Sequence, residues 1–391
     1  MRRVAVIGGG HTRFVTHSPN TSLELLAEAS MDAIANSNIS PKDIQAINCG
    51  NVLGEFTDGQ GMIQSYLADD IGCNHVPATR FEGACATGTI AVRDAAIQVA
   101  AGVYDIMLVA GVEKATAMDT PLATRTFAMF SDSRYENPAG FTFPAVFAML
   151  CHLYASHYDI PLETLKEQMA QVSVQSHYYG ARNPNAQFQK ELTVEKVLNG
   201  PMVTTPLQLM DCCPFTDGAA AVILASEEMA RKLTDTPVWI AGTGQASSGH
   251  LASQSRYLPR IRARELSVKQ AYKMAGIGPE DVDICELHDC FSIASIIAAE
   301  SLGFAEFGKA GQLWETGETK IDGKIPINIS GGLKSKGHPI GATGVSQVYE
   351  VSRQLRGDLA DQGRQVDGAK VGLVDTLGGD GVIVNLVLKR D

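Results

Sequence analysis

The sequence contains no CxxC pair, no apolar run of bilayer length and no excess of positive charge. Its eight cysteines (Cys49, Cys73, Cys85, Cys151, Cys212, Cys213, Cys285 and Cys290) are thinly spread, so neither a disulfide framework nor a zinc site is expected. The most apolar stretch, 141–155, is shorter than the roughly 20 residues of a membrane helix and is interrupted by Pro144 and His152. Arg2 and Arg3 precede an apolar VAVI, but Gly8, Gly9 and Gly10 end that run before a signal-peptide core can form, so a cytoplasmic location is expected. Lys and Arg number 32 against 43 Asp and Glu, a net charge of −11, which lacks the broad positive field that nucleic acid or an anionic membrane requires. What remains is the balance of a soluble globular enzyme with ample core: 391 residues, 45% hydrophobic and 19% charged, 38 glycines and mean hydropathy near zero.

The chain carries one pattern twice. VAVIGGG from Val4 resembles VWIAGTG from Val238, each a buried strand running into a glycine turn. ISPKDIQAINCGNVL from Ile39 resembles IGPEDVDICELHDCF from Ile277; GACATGT around Cys85 aligns with GHPIGAT around His338; YDIMLVAG from Tyr104 aligns with AKVGLVDT from Ala369. The separation grows along the chain, as loop insertions in a duplicated βαβ pattern would make it. FTDGAAAVILA, with Asp217 and Gly218, resembles LGGDGVIVNLV, with Asp380 and Gly381, at a much shorter separation, so the first copy holds extra chain. The expected organisation is a first half at 1–112 with 212–233, an inserted loop or lid domain at 113–211, and a second half at 234–391. The insertion carries adaptable and aromatic residues (Met118, Met129, Met149, Tyr154, Tyr158, Tyr178, Tyr179) and loop punctuation at Asn183-Pro184-Asn185 and Asn199-Gly200-Pro201.

The chemistry gathers at strand ends. Cys85 follows a strand through Gly83 and Ala84 and opens a helix, where unpaired N–H groups and the positive dipole end favour a thiolate. By duplication its counterpart is His338, and twin halves packed about a pseudo-dyad would bring thiol and imidazole together as an activated nucleophile. His288, Asp289 and Cys290 end another strand; a His-x-Cys pair with no third ligand nearby is a weak metal site, and the same residues suit proton transfer. DTLGGDG, 375–381, supplies Gly378 and Gly379, whose backbone N–H groups can face an oxyanion, although the same run makes a good hairpin. Arg256, Arg260, Arg262 and Arg264 crowd into nine residues, a density suited to phosphate contact or to a partner surface. The N-terminal GGGHTRF lacks the third glycine of a dinucleotide fingerprint, which argues against a dehydrogenase.

Taken together, GHPIGATG, EGACATGT and HDCF (288–291) resemble the thiolase family over the whole chain, in the form found in sterol-carrier-protein-type and archaeal-type members. The resemblance implies an α/β fold: duplicated five-stranded βαβαβ halves stacked as a layered α-β-α-β-α body with an inserted loop domain. It implies an acyl-CoA C-acyltransferase of lipid metabolism that makes or cleaves 3-ketoacyl-CoA, such as acetoacetyl-CoA, by Claisen chemistry through an acyl group on Cys85. His338 would take the Cys85 proton, His338 and His288 would polarise the second thioester, and Cys290 would exchange its α-proton. Thr376 stands where many thiolases have a second catalytic cysteine, a duty that by the resemblance would pass to Cys290. The acyl oxygen would rest on N–H groups of Cys85 and Gly378, with Gly379 beside it, and Arg260 and Arg262 would help hold the CoA phosphates. The resemblance further implies coenzyme A as substrate and product, no metal or other cofactor, a homodimer or dimer of dimers built by strand pairing near the Cys85 segment, and a small OB-fold partner protein. A β-ketoacyl synthase shares the Cys/His/His logic but would carry an HGT-like stretch in place of HDCF. An aldolase-type or assembly relative would be expected to lose the nucleophile.

Overall fold

The computed structural model describes residues 2–379 and 381–391. Its strands are β1 (Val4–His11), β2 (Ala46–Gly50), β3 (Ala78–Phe81), β4 (Ile106–Lys114), β5 (Met202–Thr204), β6 (Leu207–Gln208), β7 (Asp217–Ser226), β8 (Val238–Ser247), β9 (Ile284–Glu286), β10 (Val371–Gly378) and β11 (Val382–Arg390). Nine of them form one sheet in the order β3-β2-β4-β7-β1-β8-β11-β10-β9.

Read outward from its middle, this order shows the duplication. One wing runs β1, β7, β4, β2, β3 and the other β8, β11, β10, β9. Pairing is antiparallel for the inner steps of both wings and parallel at β2–β4 and at β9–β10. The second wing's fifth position is a single parallel bridge from Cys285 to Ile327, where the first wing has the full strand β3. Within the sheet, and among the described residues, two residue pairs join the wings, Ala5 with Trp239 and Val6 with Val238. The sequence pairings Val4/Val238, Tyr104/Ala369 and Asp217 with the 380 region fall on β1/β8, β4/β10 and β7/β11. Asp380 itself lies outside the described residues.

β4 and β7 are apolar and buried almost end to end, the pattern of strands covered on both faces. The helix Ser22–Ala35 covers the outer side of the first wing, and Arg262–Ala275 packs on β8 and β11 of the second. Between the wings lie Thr87–Ala101 and Ile340–Arg356, packed on each other, which completes the alternating layers. Their contact needs glycine. A Cβ at Gly344 would stand 2.0 Å from Thr89 Oγ1 and 2.3 Å from Thr89 N, and one at Gly88 would stand 2.9 Å from Gly341 O. These two helices begin at Cys85 and His338, so their close approach brings the two functional turns together.

After β4 the chain leaves the sheet and rejoins it at β7, folding in between into helices that include Phe143–His157 and Leu162–Gly180. Pro144 lies in the first turn of Phe143–His157, where no backbone N–H is needed, and Thr142 caps that turn by accepting from Ala145 N. The apolar stretch is thus a core helix, with Phe147, Cys151 and Tyr154 buried in one cluster with Ile293, Ile296 and Ile297. Among the described residues, no helix is long and apolar enough to cross a membrane.

Candidate active site

Cys85 sits in the short turn Ala84–Ala86 before the helix Thr87–Ala101. Ala84 holds a positive φ of 49°, a strained position for a residue with a side chain, and the turn is locked by Gly83 N donating to Thr87 Oγ1 and Thr87 Oγ1 donating to Ala84 O. Across from it, His338 Nδ1 lies 2.7 Å from Thr343 Oγ1, and that hydroxyl donates its one proton to Pro339 O at 2.9 Å. Thr343 must therefore accept from His338, which puts the imidazole proton on Nδ1 and leaves the lone pair on Nε2. Nε2 is buried and has no hydrogen-bond partner among the described residues.

His288 completes the group. Ligand-capable atoms of Cys85, His288 and His338 all lie within 4.8 Å of one another, and the two imidazoles meet edge to face at 5.1 Å. His288 Nδ1 is likewise buried without a partner among the described residues. Two orphaned imidazole nitrogens beside a thiol are costly to maintain unless a polar group arrives to meet them. A Cys/His/His set with this spacing is also one that a zinc-like cation could draw together.

Burial decides the resting charges. It pushes the Cys85 thiol up to about 12, aided by Cys213, against the lowering pull of the Gly379 N–H and Cys85's own N–H. Burial also pushes His338 down to about 3, and it holds His288 well below the usual histidine range, with His338 adding to the effect. The expectation that the helix terminus makes Cys85 a thiolate is thus reversed: dehydration outweighs the dipole, and a neutral thiol faces a neutral imidazole. Cys290 is a thiol for the same reason, held well above its ordinary range by burial and then by the neighbouring Cys85.

These residues open into a cavity of about 640 Å3, within the range of ligand sites. Cys85, His288, Cys290, His338 and Gly379 line it; Gly378 does not. The strand end approaches so closely that a Cβ at Gly378 would stand 2.2 Å from Gly83 O, so Gly378 permits the packing while Gly379 faces the thiol. Thr376 is fully buried and hydrogen-bonded to Thr89 Oγ1, away from the cavity. Arg260 and Arg262 are not brought to the lining: both guanidiniums are engaged by Glu265, at 2.8 and 2.6 Å. Arg264 is fully buried against Asp375, 3.0 Å away.

Several residues escaped the sequence reading. Thr343 sets the His338 tautomer, and its place five residues after the histidine in a glycine-rich helix start was the available signal. Glu113, at the end of β4, accepts from Val52 N, Leu53 N and Gly341 N, so one carboxylate ties both halves together beside the site. Cys213 lines the cavity, and its N–H donates to Cys290 O at 2.9 Å. The phenylalanines of the wall (Phe127, Phe141, Phe143, Phe147, Phe215 and Phe291) come mostly from the inserted segment, with no periodicity to announce them.

Comparison with known proteins now decides the family. The family pattern described as "Thiolase, N-terminal domain" matches residues 4–228, and "Thiolase C-terminal domain-like" matches 212–386. The chain belongs to the thiolase family. It is 44% identical over 381 residues to an acetyl-CoA acetyltransferase of Methanothermobacter thermautotrophicus, covering 97% of both proteins. It is 32% identical over 404 residues to human sterol carrier protein 2, covering all of this chain and 72% of that one. A solved structure described as "Ltp2-ChsH2(DUF35) aldolase" superposes with a TM-score of 0.84 at 25% identity, covering all of this chain and 98% of that one. The layered body is therefore the thiolase fold, and the protein is a thiolase-type acyltransferase.

Proposed function

We propose that this thiolase interconverts acetoacetyl-CoA plus CoA with two molecules of acetyl-CoA, through an acetyl thioester on Cys85. The observation that carries the reading is the free Nε2 lone pair of His338 within reach of the Cys85 thiol. In the cleaving direction the Cys85 sulfur attacks the 3-keto carbon as His338 Nε2 takes the thiol proton. The oxyanion that forms rests on the N–H groups of Gly379 and Cys85, which are preplaced donors. The bond between the two carbonyl-bearing halves breaks, leaving the acetyl group on Cys85 and an acetyl-CoA enolate. The enolate oxygen receives the proton now on His338 as a hydrogen bond, with His288 beside it. Cys290, kept as a thiol by burial, gives its proton to the enolate carbon. Incoming CoA returns a proton to Cys290 and attacks the acetyl group; Cys85 leaves and regains its proton from His338. Synthesis is the same path reversed.

The donors to the oxyanion and enolate do the work a Lewis acid would do, so we propose that the reaction needs no metal and that a chelator leaves turnover unchanged. Residues 113–211 act in this reading as the lid that builds the cavity wall. Arg260 and Arg262 contribute to CoA phosphate binding only by leaving Glu265; a selective rise in KM for acetyl-CoA over a nucleotide-free pantetheine thioester in the doubly alanine-substituted protein tests that part. A partner protein is supported by the Ltp2 neighbour, which is described together with ChsH2(DUF35). The deciding experiment is CoA-dependent cleavage of acetoacetyl-CoA by the wild-type, Cys290→Ala and Thr376→Ala proteins. Cys290→Ala should still acetylate Cys85 but lose α-proton exchange and turnover, whereas Thr376→Ala should be mild; the reverse ranking contradicts the assignment.

A further inference from the structure

The cavity has two unlike ends. Val203, Leu209 and Phe215 are 43%, 48% and 50% exposed and mark its mouth, whereas Phe147, Phe291 and Leu377 are 5%, 6% and 5% exposed and close the far side. At the closed end the Phe147 ring stacks on Phe291, with centroids 4.5 Å apart and planes 22° from parallel. Behind Phe147 lies a second, narrow cleft of about 20 Å3, lined beyond the shared wall by Val146, Leu150, Leu251, Gln254, Leu258 and Ile261. That is room for about one water molecule. The two spaces share Phe143, Phe147, Leu377 and Gly379 as their common wall.

A CoA thioester entering such a site has only one workable direction. Its amide and phosphate groups must stay hydrated, so the CoA arm reaches out through the exposed mouth. The acyl arm, carried beyond the thioester, then points from Cys85 and Gly379 toward Phe147. We propose that Phe147, braced on Phe291, is the stop that limits acyl-chain length, making short-chain 3-ketoacyl-CoAs the substrate class, with the cleft behind it the path a longer chain would take. The cleft's lining suits that path, since five of the six residues beyond the shared wall are aliphatic and the sixth, Gln254, has its amide nitrogen donating to Gly249 O at 2.9 Å. The stop is a stacked ring pair on two different elements, the helix Phe143–His157 and the HDCF turn, so it cannot swing aside as a lone surface side chain could.

This inference rests on the acyl-Cys85 reading, and its test separates the two. Turnover of acetoacetyl-CoA and 3-ketooctanoyl-CoA is compared in the wild-type, Phe147→Leu and Phe147→Ala proteins, alongside the mass of Cys85 peptides after exposure to acetyl-CoA. The ratio of kcat/KM for the eight-carbon over the four-carbon substrate should rise at least about tenfold in Phe147→Ala, a change of about 1.4 kcal/mol in relative transition-state binding, and by less in Phe147→Leu. Phe147→Leu keeps most of the buried volume and serves if the alanine variant does not fold. An unchanged ratio in a variant that still acetylates Cys85 overturns the stop alone, as does a wild-type protein that already prefers the longer chain. No acetyl-Cys85 in the wild-type protein overturns the reading beneath it as well.

Discussion

Thr343 shows how much one hydroxyl can decide. It has a single proton to give and gives it to Pro339 O, so it fixes His338 with the lone pair on Nε2. Thr343→Val removes that acceptor and lets the imidazole choose its tautomer. We expect kcat to fall about tenfold to a hundredfold, a share of what a positioned general base contributes, with little change in KM, and Thr343→Ser to restore most of the loss. Equal activity in the valine variant would mean the tautomer is held elsewhere. The resting charges make a second prediction. Because burial pushes Cys85 up to about 12 and His338 down to about 3, neither group changes charge between pH 5 and 9. Single-turnover acetylation of Cys85 should therefore be flat across that range; an inflection between 6 and 8 would reveal a thiolate–imidazolium pair in the free enzyme.

At the scale of elements, the site depends on how closely Thr87–Ala101 and Ile340–Arg356 approach. Gly344→Ala puts a methyl group into Thr89, where both a backbone nitrogen and a tied hydroxyl refuse it. The helices must separate, at a cost of about 1–3 kcal/mol for an overpacked core, and His338 moves away from Cys85. Thermal unfolding and kcat should fall together, while substrate-free solubility persists; a variant with native activity would show that the two helices have slack. The same elements explain what was legible in the chain. The pairing of Cys85 with His338 could be read because GACATGT and GHPIGAT keep their glycines for this contact. The tenth and eleventh strands were legible as apolar runs, but the second half's fifth strand was not foreseeable as a lone bridge at Ile327, since pairing there depends on how the chain returns from 302–326. The arginine run stands apart from the cavity lining for a local reason: Glu265 lies within the same turn and takes both Arg260 and Arg262, while Arg264 turns inward to Asp375.

For the whole molecule, the sheet ends at β3 with one side unpaired among the described residues, an edge that proteins seldom leave open. β3 leads directly into the Cys85 turn, so a second copy pairing there would brace both sites by one symmetric contact. Light scattering at micromolar concentration should give a mass of two chains or a multiple of it, and a mass of one chain would contradict this assembly. The account as a whole turns on one atom, the Cys85 sulfur. Its most direct test is the intact mass and peptide map of the protein after brief mixing with acetyl-CoA. The account predicts a single acetyl group, located on the peptide containing Cys85, discharged by added CoA and absent from Cys85→Ala. An acetyl group retained in Cys85→Ala, or found instead on Cys213 or Cys290, would contradict it.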